Sequence, residues 1–106
     1  MATYTPVQLR TPTNITASYA TVYTGANNLG VMRTYRFVTL TAHSVSLSIG
    51  TGGGTTTIED GYLLSVNIPY IVNGWYVIPN AVVMQVKADS IATNAPNFGA
   101  WGYEYA

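Results

Sequence analysis

Cysteine is absent from all 106 residues. That excludes a disulfide framework, a cysteine nucleophile and any thiolate zinc site. Charge is scarce too: 8% of residues are Asp, Glu, Lys or Arg, against about 25% in an ordinary soluble domain. Four basic residues balance four acidic ones. With no net field to keep copies apart, such a chain tends to associate. Thr, Ser, Asn and Gly can wet part of the surface; the remainder is expected to be covered in a homo-oligomer or a larger assembly. Clustered basic residues are also missing. Arg10, Arg33, Arg36 and Lys87 are scattered, whereas nucleic acid demands grouped cations, so no nucleic-acid partner is expected. Apolar runs are short and broken by Gly, Pro and Asn, which argues against membrane insertion. The opening MATYTPVQLR lacks an apolar core behind a basic end, so no signal peptide is expected. The sequon Asn14-Ile15-Thr16 is then read as chance.

Helical periodicity is absent over any useful length, and short alternating runs stand in its place. A chain of this length fits one domain and can bury a core without metals or disulfides. Residues 1–14 read as an extended arm, because Pro6 and Pro12 oppose a helix; about fourteen extended residues reach roughly 45 Å. Two readings stand for it, a disordered tail or an arm ordered against a neighbouring subunit. Residues 15–106 read as the domain. Strands are expected near 18–24, 32–40, 43–49, 55–59, 63–72, 75–78, 82–88 and 98–105. The third is the clearest: Val45, Leu47 and Ile49 alternate with Ser44, Ser46 and Ser48, the period of a half-buried strand. Pro69 lacks an N–H and belongs at an edge, a bend or a strand end. Asn73-Gly74 reads as a hairpin turn, and Pro79-Asn80 as a stop. About eight short strands predict an all-β fold, a single antiparallel sandwich of jelly-roll or immunoglobulin-like type.

Catalytic chemistry finds little support. The run IGTGGGTTTIEDG over 49–61 has no lysine near its glycines and is followed by a Thr-rich strand. A phosphate loop needs both a Gly-Lys step and a helix. The run therefore reads as a loop between strands. Glu59 and Asp60 are adjacent, so on a strand they point to opposite faces and cannot flank a scissile bond; Asp60-Gly61 reads as a turn. His43, the single histidine, reads as a surface or turn residue, and no serine sits in a nucleophile elbow. No enzyme activity, cofactor or metal site is expected. The aromatics offer more. Trp101, Tyr103 and Tyr105 share a face if the last strand alternates, and such a stripe can stack sugars, form an interface or fill the core. Phe37 and Trp75 are expected in the core. The candidate subunit or ligand contacts are Tyr4, Arg10, Trp101, Tyr103 and Tyr105.

From Ser18 onward the chain carries an ordered set of strand words: SYATVYT, VMRTYRFV, VSLSIG, TGGGTTTIEDG, NGWYVIP, MQVKA and WGYEYA. In this order they resemble small virion-associated proteins of tailed bacteriophages. The shared pattern comprises a Tyr-containing first strand, a strand of the V-x-R-x-x-x-F/V-x type, a strand ending in S-I-G, a Gly/Ala/Thr loop, a short strand into an Asp-containing turn, a G-W/F-hydrophobic strand, a strand close to Q-x-K-A and a closing G-x-E strand. Residues 1–14 fall outside it. The resemblance implies a compact sandwich with a structural or adhesive role on the particle. It transfers no catalytic residue and leaves capsid, neck and tail open. The expected function is thus a non-enzymatic component of a bacteriophage virion, contacting capsid, neck or tail proteins and itself, assembled in the host cytoplasm. The alternative is a receptor- or carbohydrate-binding module at a tail tip.

Overall fold

The computed structural model describes residues 4–25, 29–50, 55–90 and 94–105. Eight strands follow in order: β1 (Tyr4–Asn14), β2 (Ala20–Thr24), β3 (Leu29–Val38), β4 (Ser44–Gly50), β5 (Thr56–Leu63), β6 (Tyr70–Pro79), β7 (Val83–Ala88) and β8 (Asn97–Tyr105). They form two four-stranded antiparallel sheets, a first in the order β1-β8-β3-β6 and a second in the order β2-β7-β4-β5. Only β4 and β5 are neighbours both in sequence and in a sheet; every other connection passes from one sheet to the other. That order is a jelly roll. It excludes the immunoglobulin alternative, in which consecutive strands pair within a sheet.

Alternation explains the core. Even-numbered residues of β8 and the matching positions of β3 and β6 turn inward, as do Val45 and Leu47 of β4. Met32, Tyr35, Phe37, Leu47, Ile78, Met84, Val86 and Phe98 are all buried between the sheets. The rings of Tyr35, Phe37 and Phe98 meet at centroid distances of 4.9–6.4 Å, the offset and edge-on range that aromatic quadrupoles favour. Phe37 is in the core as expected.

Several local expectations change. Residues 4–14 are extended but lie in the first sheet as β1, with Tyr4 opposite Tyr105 and Asn14 opposite Asn97. β1 is an edge strand with two register shifts, and edges and bulges are where a sheet admits proline. Asn73-Gly74 does not turn the chain. It lies inside β6, at a register shift opposite Met32 and Thr34, because backbone that suits a tight turn also suits a bulge. Asp60-Gly61 likewise stays within β5. Gly61 takes a φ of 64°, and the ladder slips there by one residue, from Val45–Tyr62 to Leu47–Glu59. The strand expected over 63–72 begins only at Tyr70, and 64–69 is a loop held by Leu64 N–H to His43 O and Asn67 N–H to Thr39 O. Pro69 precedes a strand and Pro79 ends one, as read. The glycines at 52–54 lie outside the described residues.

His43 is not at the surface. It is buried, with Nδ1 2.7 Å from Asp89 Oδ1. Asp89 also accepts from the Ser90 N–H. The pair ties the β3–β4 loop to the end of β7. The His43 hydrogen bond, followed by the backbone N–H groups, holds the Asp89 carboxyl below its usual range.

Candidate contact surface

Odd-numbered residues of β8 turn away from the core, and this rule builds the candidate site on the outer face of the first sheet. Trp101, Tyr103 and Tyr105 follow one another there. Tyr4 is the cross-strand neighbour of Tyr105, and Pro6 that of Tyr103. On β3 the outward positions are Leu29, Val31, Thr34 and Arg36; on β6 they are Ile71, Asn73, Trp75 and Val77.

Two facts show that this face is organised. First, Tyr4 and Trp75 stand on opposite edge strands, about 14 Å apart at strand spacing, yet their ring centroids lie 6.3 Å from each other. The two side chains must lean across β8 and β3 to meet. Second, Val31 points outward between Tyr103 and Val77 and still has 0% exposure. Tyr4 also packs on Tyr105 at 4.6 Å and on Tyr103 at 6.2 Å. The result is a small second cluster on the outside of the sandwich, whose roof remains open: Trp75 is 53% and Tyr4 49% exposed. Trp75 is therefore an outer-face residue and not a core one; the bulge at 73–75 places it there.

Arginine completes the face. Arg33 stacks on Trp75 with its guanidinium carbon 5.0 Å from the ring centre, and its Nε donates to Gly74 O at 2.6 Å. Arg36 lies 5.6 Å over Trp101. All three arginines of the chain belong to strands of this sheet, and its only carboxylate, Glu104, turns inward to accept from Tyr23 at 2.7 Å. Charge is thus sorted by sheet: Glu59 and Asp60 belong to β5, Lys87 to β7, and Asp89 follows β7.

Four of the five candidates, Tyr4, Trp101, Tyr103 and Tyr105, share this sheet with their side chains toward one face. Arg10 stands apart, opposite Ala100 between the two shifts of β1. It makes no ring contact with the cluster and lines a shallow cleft with Gln8, Leu9, Thr11, Pro12 and Thr13. Sequence reasoning missed Trp75, Arg33 and Val31. The one available signal was the alternation of Trp75, Val77 and Pro79.

The interior carries a separate polar group. The Tyr35 hydroxyl donates to Glu59 Oε2 at 2.5 Å and the Tyr70 hydroxyl to the same oxygen at 2.8 Å. Burial first, then the Glu59 hydrogen bond, pushes the Tyr35 phenol far above its ordinary value and that of Tyr70 up to about 12. Tyr62 stacks on Tyr70 at 4.1 Å. Protonated phenols clasping one carboxylate pin β3, β5 and β6 together; they present no nucleophile. Two further clefts border the second sheet. An apolar one of about 290 Å³ runs between the β5 and β6 edges, lined by Ile49, Thr56, Ile58 and Trp75 to Val77. A polar one of about 280 Å³ holds Ser44, Ser46, Asp60, Lys87 and Asp89. Among the described residues, no group of three His, Asp or Glu side chains is placed to hold a metal ion. Glu59 and Asp60 point apart, as adjacent strand residues must.

No family model matches the sequence, and no curated protein matches it. Among solved structures, the chain is similar to that of the infectious bursal disease virus Gx strain. The TM-score is 0.60 at 11% identity, over 99% of this chain and 30% of that one. It is also similar to the D431N mutant VP2 protein of infectious bursal disease virus, from derived T=1 particles, with a TM-score of 0.56 at 11% identity over 98% and 30%. The chain spans about 30% of the length of each. At this identity the likeness is one of fold.

Proposed function

We propose that this chain is a non-enzymatic structural subunit of a virus particle, and, from its strand words, of a tailed-bacteriophage particle. The observation that carries the reading is the jelly-roll sandwich, which superposes along nearly its whole length on structures of virus-particle protein. A fold alone does not fix function, but the surface agrees with this one. Leu40, Leu63, Val66, Ile68 and Ile71 are exposed, and the loops bearing Leu40 and Val66 to Ile68 are joined by the Asn67–Thr39 hydrogen bond. They form an apolar end that water does not favour and a lattice neighbour would cover. The 8% charge content suits a subunit that buries its sides in repeated contacts. Partners are other virion proteins and further copies of this chain.

The test is to purify particles on a density gradient and locate this chain in their reconstructed density. The expected result is a symmetric set of copies on capsid, neck or tail, with the Leu40–Ile68 end against a neighbour. Particles lacking the chain, or carrying it in no fixed position, refute the reading. The arm reading takes a sharper form. Deleting residues 1–14 removes an edge strand, so it is expected to reduce both particle occupancy and folding. Unchanged occupancy would show that β1 contacts no neighbour.

A further inference from the structure

We infer that the outer face of the β1-β8-β3-β6 sheet binds a carboxylated saccharide, with Trp75 and Tyr4, whose rings meet edge to face at 71°, as its aromatic walls and Arg33 as the carboxylate partner. Pyranose rings present C–H faces that pack on aromatic rings, and Trp and Tyr combine that surface with little conformational entropy to lose. Both rings are about half exposed; Tyr4 is held by Tyr103, Tyr105 and Trp75, and Trp75 by Tyr4 and Arg33. The site is thus formed before any ligand arrives.

The charge of the ligand follows from the charge of the face. Arg33 is exposed at the β3 bulge and oriented twice, by Trp75 and by the Gly74 carbonyl. Its Nε is used, which leaves the terminal nitrogens of the fork toward solvent, with no described carboxylate paired to them. A planar fork held in place is the preferred partner of a carboxylate. Arg36, three residues along β3 and about 10 Å away at strand rise, is half-buried and lies over Trp101, but its buried Nε has no carbonyl partner of the kind Gly74 gives Arg33. The two Arg–Trp pairs are spaced for alternate acidic units of a saccharide chain. The sheet's single carboxylate is turned inward, so nothing on the face repels an anion. A nucleic acid fits less well: its phosphates demand a denser cationic track than two arginines on a chain of zero net charge. This inference is independent of the particle reading: a subunit can fail to bind saccharide and still sit in a virion.

The experiment is affinity gel electrophoresis and titration calorimetry of the full chain with polygalacturonate, with neutral dextran and with single-stranded oligothymidylate. Polygalacturonate is expected to retard the chain and quench its tryptophan fluorescence, while dextran does neither. Arg33→Gln is expected to weaken binding about tenfold or more, with Arg33→Lys between the two. Trp75→Ala removes the Trp75 share of the quench; because it also takes away the ring that Tyr4 and Arg33 pack on, Trp75→Phe serves as the variant that keeps an aromatic ring there. Equal retardation by dextran overturns the carboxylate assignment. Retardation by oligothymidylate as strong as by polygalacturonate overturns saccharide specificity in favour of a general anion surface. Unchanged binding in folded Arg33→Gln overturns the site. A face that serves self-association shows instead as a sedimentation change in Trp75→Phe with no retardation by any polymer, and this too overturns the inference.

Discussion

Removing one oxygen atom tests the interior of the sandwich most directly. Tyr35→Phe leaves the ring among Phe37, Phe98 and Tyr76, so it opens no cavity and changes only the hydrogen bond to Glu59. A hydrogen bond to a charged group contributes about 1.5–3 kcal/mol. Tyr70 still donates to the same oxygen, so Glu59 is not orphaned, and the cost is expected at about 2 kcal/mol. For a domain of this size that lowers Tm by roughly 10 °C. Urea denaturation should show a lower midpoint with an unchanged m-value. Glu59→Leu strands the Tyr35 hydroxyl in the core, at a further cost of about 1–3 kcal/mol, and the double variant should lose less than the sum of the two singles. Alkali supplies the independent check. Both phenols are raised in the folded state, so their stabilisation is complete below the ordinary value of 10.0 and is lost as pH climbs above it. Wild type should therefore destabilise between pH 9 and 12 more steeply than Tyr35→Phe. A Tm change under about 2 °C, or additive single variants, refutes the coupling.

Three further outcomes follow from the geometry. In Gly102→Ala the new Cβ would lie 1.8 Å from the Val31 carbonyl oxygen; β8 must move off β3, costing about 3 kcal/mol or more, visible as a collapse in soluble yield. Gly61→Ala meets no atom within 4 Å and bears only its φ of +64°, so its urea midpoint should report a loss of about 1–2 kcal/mol. The Asp89 carboxyl is lowered from 3.8 by His43, so its contribution is present above that value and disappears as pH falls through the folded one; thermal melts from pH 2 to 6 should fall less steeply for Asp89→Asn.

How much of this was legible in the sequence depended on whether a signal was local. Val45 and Leu47 alternate with serines and face the core, and period two needs no partner to be seen; but β4 is not half-buried as read, because Ser46 and Ser48 on its other face are buried too, with Ser46 Oγ accepting from the Gly61 N–H. The same rule found the Trp101, Tyr103 and Tyr105 stripe. β1 was hidden because Pro6, Pro12 and two register shifts break alternation, and only its pairing with β8 makes it a strand. Asn73-Gly74 and Asp60-Gly61 carry the chemistry of turns, but the neighbouring strands continue past them, so they became bulges. His43 read as a surface or turn residue; it lies in the β3–β4 connection but is buried, and its burial was hidden because its partner Asp89 is 46 positions away. The contact surface was legible by half: the β8 aromatics declare themselves, whereas Tyr4 and Trp75 meet only after the sheet has formed.

The position of β8 has a consequence for how the molecule is made. It lies between β1 and β3 and is the last of the eight strands in sequence. A ribosome that has delivered β1 to β7 has delivered a first sheet in two pieces, with β1 unpaired and β3 bonded only to β6. Synthesis at about 5–20 residues per second leaves that open seam exposed for seconds. Pairings this distant in sequence also close slowly once every residue is present. Until residue 105 is free of the exit tunnel, the sheet that carries the aromatic face does not exist, and the nascent chain offers two strand edges to any chaperone or sister chain nearby.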